Sequence, residues 1–337
     1  MATRRFFGSK WKTVFVFASV FTLFFEILLR LINFRFGPDT EFGYPRPVDF
    51  SQLRYDPELF WTLNLDDESV NSWGFPGDEI VLPKPKGVYR ILFLGDSIMQ
   101  AGYPEQVKQC LQEAGFSNIE AIPLVINGYS SYQGRILAEK YGLRIEPDLV
   151  VVQFGWNDHW LAYGEPDAEK VFPPPHPLSI PFHTFHKVYD RVRVLQALGW
   201  AWEALLGQGN HQSGEVRVPL AQYRENLDRI RTLFEGENIP VFFATAPSAH
   251  TQWGVPDEII QRGFAKDTES VIQLHQEYNE MVREVAGEVR LLDLDTEFES
   301  FSADELRKLF QEDGIHPTAE GHKIVAANLW RQLEKLL

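Results

Sequence analysis

The stretch Arg-Ile-Leu-Phe-Leu-Gly-Asp-Ser-Ile-Met-Gln, residues 90–100, decides the fold, because four consecutive apolar residues run directly into Gly95-Asp96-Ser97. An apolar run this short, ended by glycine, is typical of a buried parallel strand, and the following residues 103–111 predict a helix. Ligands of open parallel sheets bind at the carboxyl ends of the strands, so Ser97 lies where a nucleophile is useful. Gly-Asp-Ser alone is common in turns, and the interpretation needs support from other stretches.

A base and its orienting carboxylate are predicted from Asp313-Gly-Ile-His316. A serine hydroxyl is a weak nucleophile at neutral pH and needs a base that accepts its proton. An aspartate three residues before a histidine in a turn can accept a hydrogen bond from the ring Nδ1. The ring Nε2 of His316 is then available to Ser97.

Donors for an oxyanion are predicted from two further stretches, each at the end of an apolar run. Asn157 follows the run 149–154, and its side-chain amide can donate a hydrogen bond. Gly128 follows the run 124–126 and can offer a backbone N–H to the same point. Acyl transfer requires such donors where negative charge develops.

Together these four stretches resemble the SGNH hydrolase family, also called GDSL esterases and lipases, over the chain from Arg90 to its end. The resemblance implies that Ser97 is the nucleophile, His316 the base and Asp313 the carboxylate that orients it. It also implies that Gly128 and Asn157 donate to the oxyanion, together with the Ser97 N–H. Family members often have several residues between the Asn and Gly of the second stretch, whereas here Asn127 and Gly128 are adjacent.

The order of apolar runs and helical patterns predicts an α/β fold with right-handed crossovers and a central parallel sheet. The resemblance implies the same architecture, a flavodoxin-like three-layer α/β/α sandwich. Strands are predicted at 90–94, 120–126, 149–154, 240–244 and 289–294. Helices are predicted at 103–111, 134–144, 220–234 and 270–286, with a final helix capped by Thr318 that runs towards residue 336.

The N-terminal stretch Val14–Ile32 is almost continuously apolar and long enough to cross a bilayer. The basic residues that precede it are Arg4, Arg5, Lys10 and Lys12. Basic flanks stay cytoplasmic, so we expect a single-pass membrane protein whose N-terminus is cytoplasmic and whose remainder is outside. Glu26 and Arg30 interrupt the run at a spacing that allows them to pair on one helix face. The alternatives are a cleaved signal peptide, which the lack of an Ala-x-Ala-like site disfavours, and a buried helix of a cytosolic protein.

Composition and charge narrow the class of protein. With 337 residues, 44% of them hydrophobic and 23% charged, the chain predicts a folded catalytic domain with an insertion. Its net charge is −15, and the first 35 residues hold six Lys or Arg and one Glu, so the rest carries −20. An acidic domain repels nucleic acid, and we expect no nucleic-acid partner. The single cysteine, Cys110, cannot form an internal disulfide and is predicted to lie in the core.

The predicted organisation has three parts: residues 1–35 form the cytoplasmic tip and anchor, 36–89 an extended lead-in, and 90–337 the catalytic domain with an insertion at about 159–219. Aromatic residues of the lead-in are expected to pack on the catalytic domain. Within the insertion, a helix at 188–206 is expected to pack against the domain through the apolar residues Val192, Leu195, Leu198 and Trp202. His176, His183 and His186 have no standard metal-site spacing, so no metal site is predicted.

The function favoured by these patterns is a membrane-anchored, extracytoplasmic serine esterase that needs no cofactor. Its expected partners are the membrane, through residues 14–32, and an ester-bearing small molecule, lipid or glycan. An alternative is an O-acyltransferase or de-O-acetylase that acts on cell-surface polysaccharide through the same acyl-enzyme. A non-catalytic surface binding module is the third hypothesis, and the presence of Ser97, Asn157, Asp313 and His316 together argues against it.

Overall fold

A computed structural model describes residues 3–32, 34, 44–45, 50, 52–100, 102–172, 174, 186–189, 191–205, 212–287 and 290–333. The chain divides into two compact units. The first holds the described residues of 1–38, 46–51 and 175–210, and the second holds those of 39–45, 52–174 and 211–337.

The strands of the described residues are β1 (Leu53–Asp56), β2 (Phe60–Leu63), β3 (Tyr89–Gly95), β4 (Ile119–Val125), β5 (Leu149–Gln153), β6 (Leu161–Tyr163), β7 (Gln212–Val216), β8 (Val241–Ala244) and β9 (Leu291–Leu292). The α-helices are α1 (Thr3–Leu31), α2 (Ser97–Gln100), α3 (Tyr103–Glu113), α4 (Ser131–Leu137), α5 (Trp156–His159), α6 (His186–Tyr189), α7 (Arg193–Leu205), α8 (Leu220–Glu235), α9 (His250–Trp253), α10 (Asp257–Gln261), α11 (Thr268–Ala286), α12 (Leu294–Glu299), α13 (Ala303–Leu309) and α14 (Ala319–Leu333).

A five-stranded sheet forms the centre of the second unit, with the strand order β4-β3-β5-β8-β9. Every neighbouring pair in it is parallel, and the order is that of the flavodoxin-like doubly wound fold. The central strands β3 and β5 are buried along almost their whole length, as continuous apolar runs require. The predicted α/β/α sandwich with a central parallel sheet is therefore confirmed.

Helices cover both faces of this sheet. Ile91 and Phe93 of β3 share a core with apolar residues of α3 and α14. Successive side chains of a strand point to opposite faces, so Leu92 and Leu94 point the other way. On that side α8 contacts both α4 and α11. Cys110, expected in the core, is only half-buried and packs at its margin, because it lies on the flank of α3.

Two predicted element boundaries are wrong, and a local hydrogen bond explains each. The helix predicted at 134–144 starts earlier, as α4, because the Ser130 N–H donates to the side chain of Gln133 in a capping box. It continues as a π-turn and a 3₁₀-turn up to Ile145. The last strand, predicted to reach residue 294, ends at Leu292, because the Asp293 side chain accepts the Thr296 N–H and caps α12.

Within the second unit, the described residues of the lead-in pack on neighbouring segments through aromatic side chains. β1 and β2 form an antiparallel hairpin, from which Phe60 stacks on Tyr132 at 5.9 Å between ring centroids. Trp61, also in β2, contacts Tyr129 edge-on at 5.3 Å. Both partners lie in or just before α4, so the hairpin covers the segment that follows β4.

The first unit contains α1, whose segment Lys12–Leu31 is long and apolar enough to cross a membrane. Its two charged side chains near the end pair as expected, with 2.7 Å between Arg30 and Glu26. The helix predicted at 188–206 is divided into α6 and α7. Of its predicted apolar stripe, Leu195 and Leu198 are exposed and Val192 is half-buried, whereas Gln196 is buried and donates to the Tyr189 carbonyl.

His322 in α14 is a buried titratable group of the second unit. Neither of its ring nitrogens has a hydrogen-bond partner among the described residues. Burial, with a smaller contribution from nearby His316, lowers its pKa from 6.5 to about 4. Between these values the unfolded chain binds a proton that the folded chain does not. Stability is thus fully present above pH 6.5 and falls as the pH drops towards 4, by up to about 3 kcal/mol.

We expect His322→Leu to reduce this loss of stability at acid pH, because leucine has no proton to gain on unfolding. Urea unfolding at pH 5.0 and 7.5 measures the difference in free energy for the wild type and the variant. The control is Lys323→Leu at the exposed neighbouring position, which should keep the wild-type difference. An equal loss of stability in His322→Leu and the wild type would contradict the prediction.

Candidate active site

The register of the sheet brings together the ends of three neighbouring strands. Gly95 of β3 is paired with Val125 of β4 on one side and with Gln153 of β5 on the other. The segments that follow therefore leave the same edge of the sheet at the same level. They carry Ser97, Gly128 and Asn157, the residues that the sequence singles out. This carboxyl edge is where doubly wound folds bind ligands.

Ser97, His316 and Asp313 form a continuous hydrogen-bonded chain. The Ser97 Oγ lies 2.8 Å from His316 Nε2, and His316 Nδ1 lies 2.6 Å from Asp313 Oδ2. A neutral imidazole that donates from Nδ1 to a carboxylate has an unprotonated Nε2. That nitrogen can accept the proton of the Ser97 hydroxyl, which is the arrangement of a serine nucleophile with its base.

The loop that carries Asp313 and His316 uses both oxygens of the carboxylate. Asp313 Oδ1 accepts the backbone N–H groups of Ile315 and His316 at 2.8 and 3.0 Å, while Oδ2 accepts the ring. Burial by itself raises the pKa of Asp313, but the hydrogen bonds and charge of His316 outweigh it and lower that pKa. The carboxylate is therefore ionised at neutral pH and fixed relative to the ring.

Side chains of α9 pack against the same loop. His250 at the start of α9 lies with its Nε2 2.7 Å from the Asp313 carbonyl oxygen. Gly314 has φ +71°, and a Cβ there would lie 2.6 Å from Trp253 Nε1 and 2.7 Å from the His250 ring. Only glycine fits both the conformation and the space. The sequence patterns gave no signal for a role of His250.

Asp96 orients Asn157. The Asn157 Nδ2 donates to Asp96 Oδ2 at 3.0 Å, and the Ile98 N–H donates to Asp96 Oδ1 at the same distance. An amide nitrogen carries two hydrogens, so one holds the side chain and the other is available to a ligand. Burial of Asp96 outweighs these hydrogen bonds and the charge of His316, and raises its pKa to about 6. Sequence reasoning treated Asp96 only as part of a tripeptide, although its position beside the serine was a signal.

Asp158 connects the loop of Gly128 with the loop of Asn157. Its Oδ1 accepts the Ser131 N–H at 2.8 Å and its Oδ2 accepts the Gly155 N–H at 3.1 Å. Burial raises the pKa of Asp158 to about 7, against the opposing effect of its hydrogen bonds with Ser131. One side chain therefore sets the separation of the two candidate donors.

A buried ion pair holds the Gly128 peptide. Arg217 Nη1 donates to the Gly128 carbonyl at 2.8 Å, and its Nη2 donates to Asp167 Oδ2 at 3.0 Å. Asp167 also accepts the hydroxyls of Ser130 and Tyr44. Arg217 and Asp167 are fully buried, and they lie at opposite ends of the insertion. Sequence reasoning missed both, because no local pattern connects residues so far apart.

The described residues contain no group of three His, Cys, Asp or Glu side chains placed to hold a metal ion. His176 and His183, considered for a metal in the sequence analysis, lie outside the described residues, as does the side chain of His186.

Comparison with known proteins identifies one family. The sequence model of the GDSL-like lipase/acylhydrolase family matches residues 93–324, which include Ser97, Gly128, Asn157, Asp313 and His316. No curated protein sequence matches the chain.

Similar solved structures include a lipase/acylhydrolase from Enterococcus faecalis, with a TM-score of 0.47 and 17% identity, covering 74% of this chain and 97% of the other. A GDSL-like lipase from Bacteroides thetaiotaomicron has a TM-score of 0.45 and 17% identity, covering 76% and 93%. An acetylxylan esterase from Geobacillus stearothermophilus, solved as a catalytic mutant, has a TM-score of 0.43 and 15% identity, covering 73% and 94%.

The Arg217–Asp167 pair yields a prediction about stability. We expect Arg217→Leu to lower the free energy of unfolding by about 3–5 kcal/mol, because it leaves Asp167 buried without its cation. Arg217→Leu combined with Asp167→Leu should cost less than the sum of the two single changes. Urea unfolding of the four proteins gives the coupling energy.

The matched control is Arg229→Leu, which breaks an exposed pair with Glu225 and should change stability by less than about 1 kcal/mol. Additive effects of Arg217→Leu and Asp167→Leu would show that the two buried charges do not depend on each other.

Proposed function

Because the chain belongs to the GDSL-like lipase/acylhydrolase family, we propose that it is a membrane-anchored serine esterase whose catalytic domain lies outside the cytoplasm. The substrate is a carboxylic ester, and the reaction passes through an acyl-enzyme on Ser97. The observation that carries this proposal is the chain of hydrogen bonds from Ser97 through His316 to Asp313, at 2.8 and 2.6 Å.

In the first half of the reaction, the Ser97 Oγ attacks the ester carbonyl carbon and its proton passes to His316 Nε2. Asp313 stabilises the imidazolium that forms, without taking the proton itself. The carbonyl oxygen becomes an oxyanion, which accepts hydrogen bonds from the Ser97 and Gly128 N–H groups and from the second amide hydrogen of Asn157. When the tetrahedral intermediate collapses, the C–O bond breaks and His316 gives its proton to the leaving alcohol.

In the second half, water attacks the acyl-enzyme and His316 accepts a proton from it. The second tetrahedral intermediate collapses with return of that proton to Ser97 Oγ, and the carboxylic acid leaves. Asp96 acts as a positioning residue, because it holds the Asn157 amide before the substrate arrives. Donors that are already oriented cost no reorganisation when charge develops.

The proposed anchor is the Lys12–Leu31 segment of α1, with 20 residues and a mean hydropathy of 2.1. At 1.5 Å per residue its length is about 30 Å, the thickness of a hydrocarbon core. The basic residues before it favour a cytoplasmic N-terminus. The acidic catalytic domain then lies on the opposite side of the membrane.

We expect Ser97→Ala to abolish turnover of p-nitrophenyl esters while its thermal unfolding stays that of the wild type, because the change removes the attacking oxygen and little packing. The assay uses the full chain in detergent and compares short with long acyl chains. Retained activity in Ser97→Ala would rule out the acyl-enzyme mechanism.

The same assay with an added polysaccharide distinguishes hydrolysis from acyl transfer. Release of the acid without the sugar supports the esterase, whereas consumption of the ester that depends on the sugar supports an acyltransferase.

Asn157→Ala is expected to lower kcat by about 10²–10³ with little effect on KM, because the amide stabilises charge present only in the transition state. Asn157→Asp should be worse, since it places a carboxylate beside the oxyanion. Asn118→Ala, at an exposed position after α3, is the control and should have wild-type kinetics. A raised KM with unchanged kcat in both Asn157 variants would show that this residue binds the ground state instead.

A further inference from the structure

The charged residues in the apolar helix α1 have partners in the insertion. Besides its ion pair with Glu26, Arg30 donates from Nη2 to the Arg191 carbonyl at 2.7 Å. The Val194 N–H donates to Glu26 Oε2 at 3.0 Å. Both of these partners are main-chain groups just before α7 or in its first turn. The start of α7 is thus hydrogen-bonded to the C-terminal part of α1.

The first turn of an α-helix has N–H groups without intrahelical partners, and its dipole favours a negative charge there. Glu26 supplies that charge to α7. Such a carboxylate is costly inside an apolar membrane segment unless it is paired. The contact therefore gives a backbone N–H at the start of α7 a hydrogen-bond acceptor. It also gives the Glu26 carboxylate in α1 a hydrogen-bond donor.

The position of Glu26 along α1 gives the depth of this contact. Glu26 precedes Leu31, the last residue of the apolar segment, by five residues, which is about 7.5 Å along the helix axis. Helices that lie in the plane of a membrane surface bury their apolar face about 5–10 Å into the boundary between headgroups and acyl chains. In a membrane crossed by α1, the start of α7 is at that depth.

Three leucines of α7 are exposed and share one side of the helix. Leu195, Leu198 and Leu205 have exposed fractions of 36%, 62% and 80%, and their spacings of three and seven residues place them on the same face. Apolar side chains left in water on a helix tied to a membrane span indicate a lipid environment.

We propose that α7 lies in the outer surface of the bilayer that α1 crosses, with Leu195, Leu198 and Leu205 among the lipid acyl chains. This inference rests on the membrane anchor proposed above and adds a second, surface-lying membrane element to it. The ligand is the lipid bilayer itself, recognised through apolar burial at a depth fixed by Glu26.

Environment-sensitive labelling of the full chain tests the proposal. In a Cys110→Ala background, single cysteines replace Leu198 in α7, Phe21 in α1 or the exposed Asp304 in α13, and each is labelled with a nitrobenzoxadiazole dye. The proteins are reconstituted in phosphatidylcholine vesicles with or without lipids that carry a doxyl quencher on the acyl chain. Iodide on both sides of the membrane is the quencher for the aqueous phase.

We expect the dye at position 198 to be quenched by the doxyl lipids and protected from iodide, as at position 21, whereas the dye at 304 shows the reverse. Leu205→Cys provides a second position on the same face. If positions 198 and 205 respond like 304 while 21 is in lipid, the proposal for α7 is wrong and the anchor stands. If position 21 is also accessible to iodide, both the anchor and the inference fail.

Discussion

The parallel hydrogen bonding of β3 to β4 and β5 is the constraint on which the candidate site depends. Because Gly95 is level with Val125 and Gln153, three chain segments leave the sheet at one edge and at one height. A shift of one residue in either pairing would move a donor loop by about 3.3 Å, more than a hydrogen bond tolerates. The buried apolar runs that fix the register therefore also fix the distances between the loops that carry the candidate site residues.

Three buried aspartates hold the loops at this edge of the sheet in place through hydrogen bonds. Asp96 holds the Asn157 amide, Asp158 joins the loops of Gly128 and Asn157, and Asp167 pairs with the arginine that binds the Gly128 carbonyl. Burial of a carboxylate is unfavourable, and the raised pKa values of Asp96 and Asp158 express that cost. In return, Asp96 and Asp158 hold amide and backbone N–H groups in one orientation, and Asp167 does so for the Gly128 carbonyl through Arg217.

The elements that could be predicted from the sequence are those with a local sequence pattern. Apolar runs that end in glycine predicted β3 and β5, and the order of strands and helices predicted the sandwich. The structure brings Ser97, His316 and Asp313 into hydrogen-bond contact, as the spacing of Asp313 and His316 suggested. The contact of Arg217 with Gly128 could not be predicted from the sequence. Hydrophobic periodicity indicates which residues are buried, but it does not identify a hydrogen-bond partner 89 residues away. The packing of α7 on the catalytic domain stays a prediction, since an apolar stripe does not specify what covers it.

The antiparallel pairing of β6 with β7 closes the base of the insertion, with Leu161 opposite Val216 and Tyr163 opposite Gln212. The buried salt bridge between Asp167 and Arg217 also holds the two ends of the insertion together. The closure entropy of a loop rises slowly with its length, by about 0.6 kcal/mol for each doubling. Changes in the length of the chain between β6 and β7 therefore cost little stability while this base stays closed.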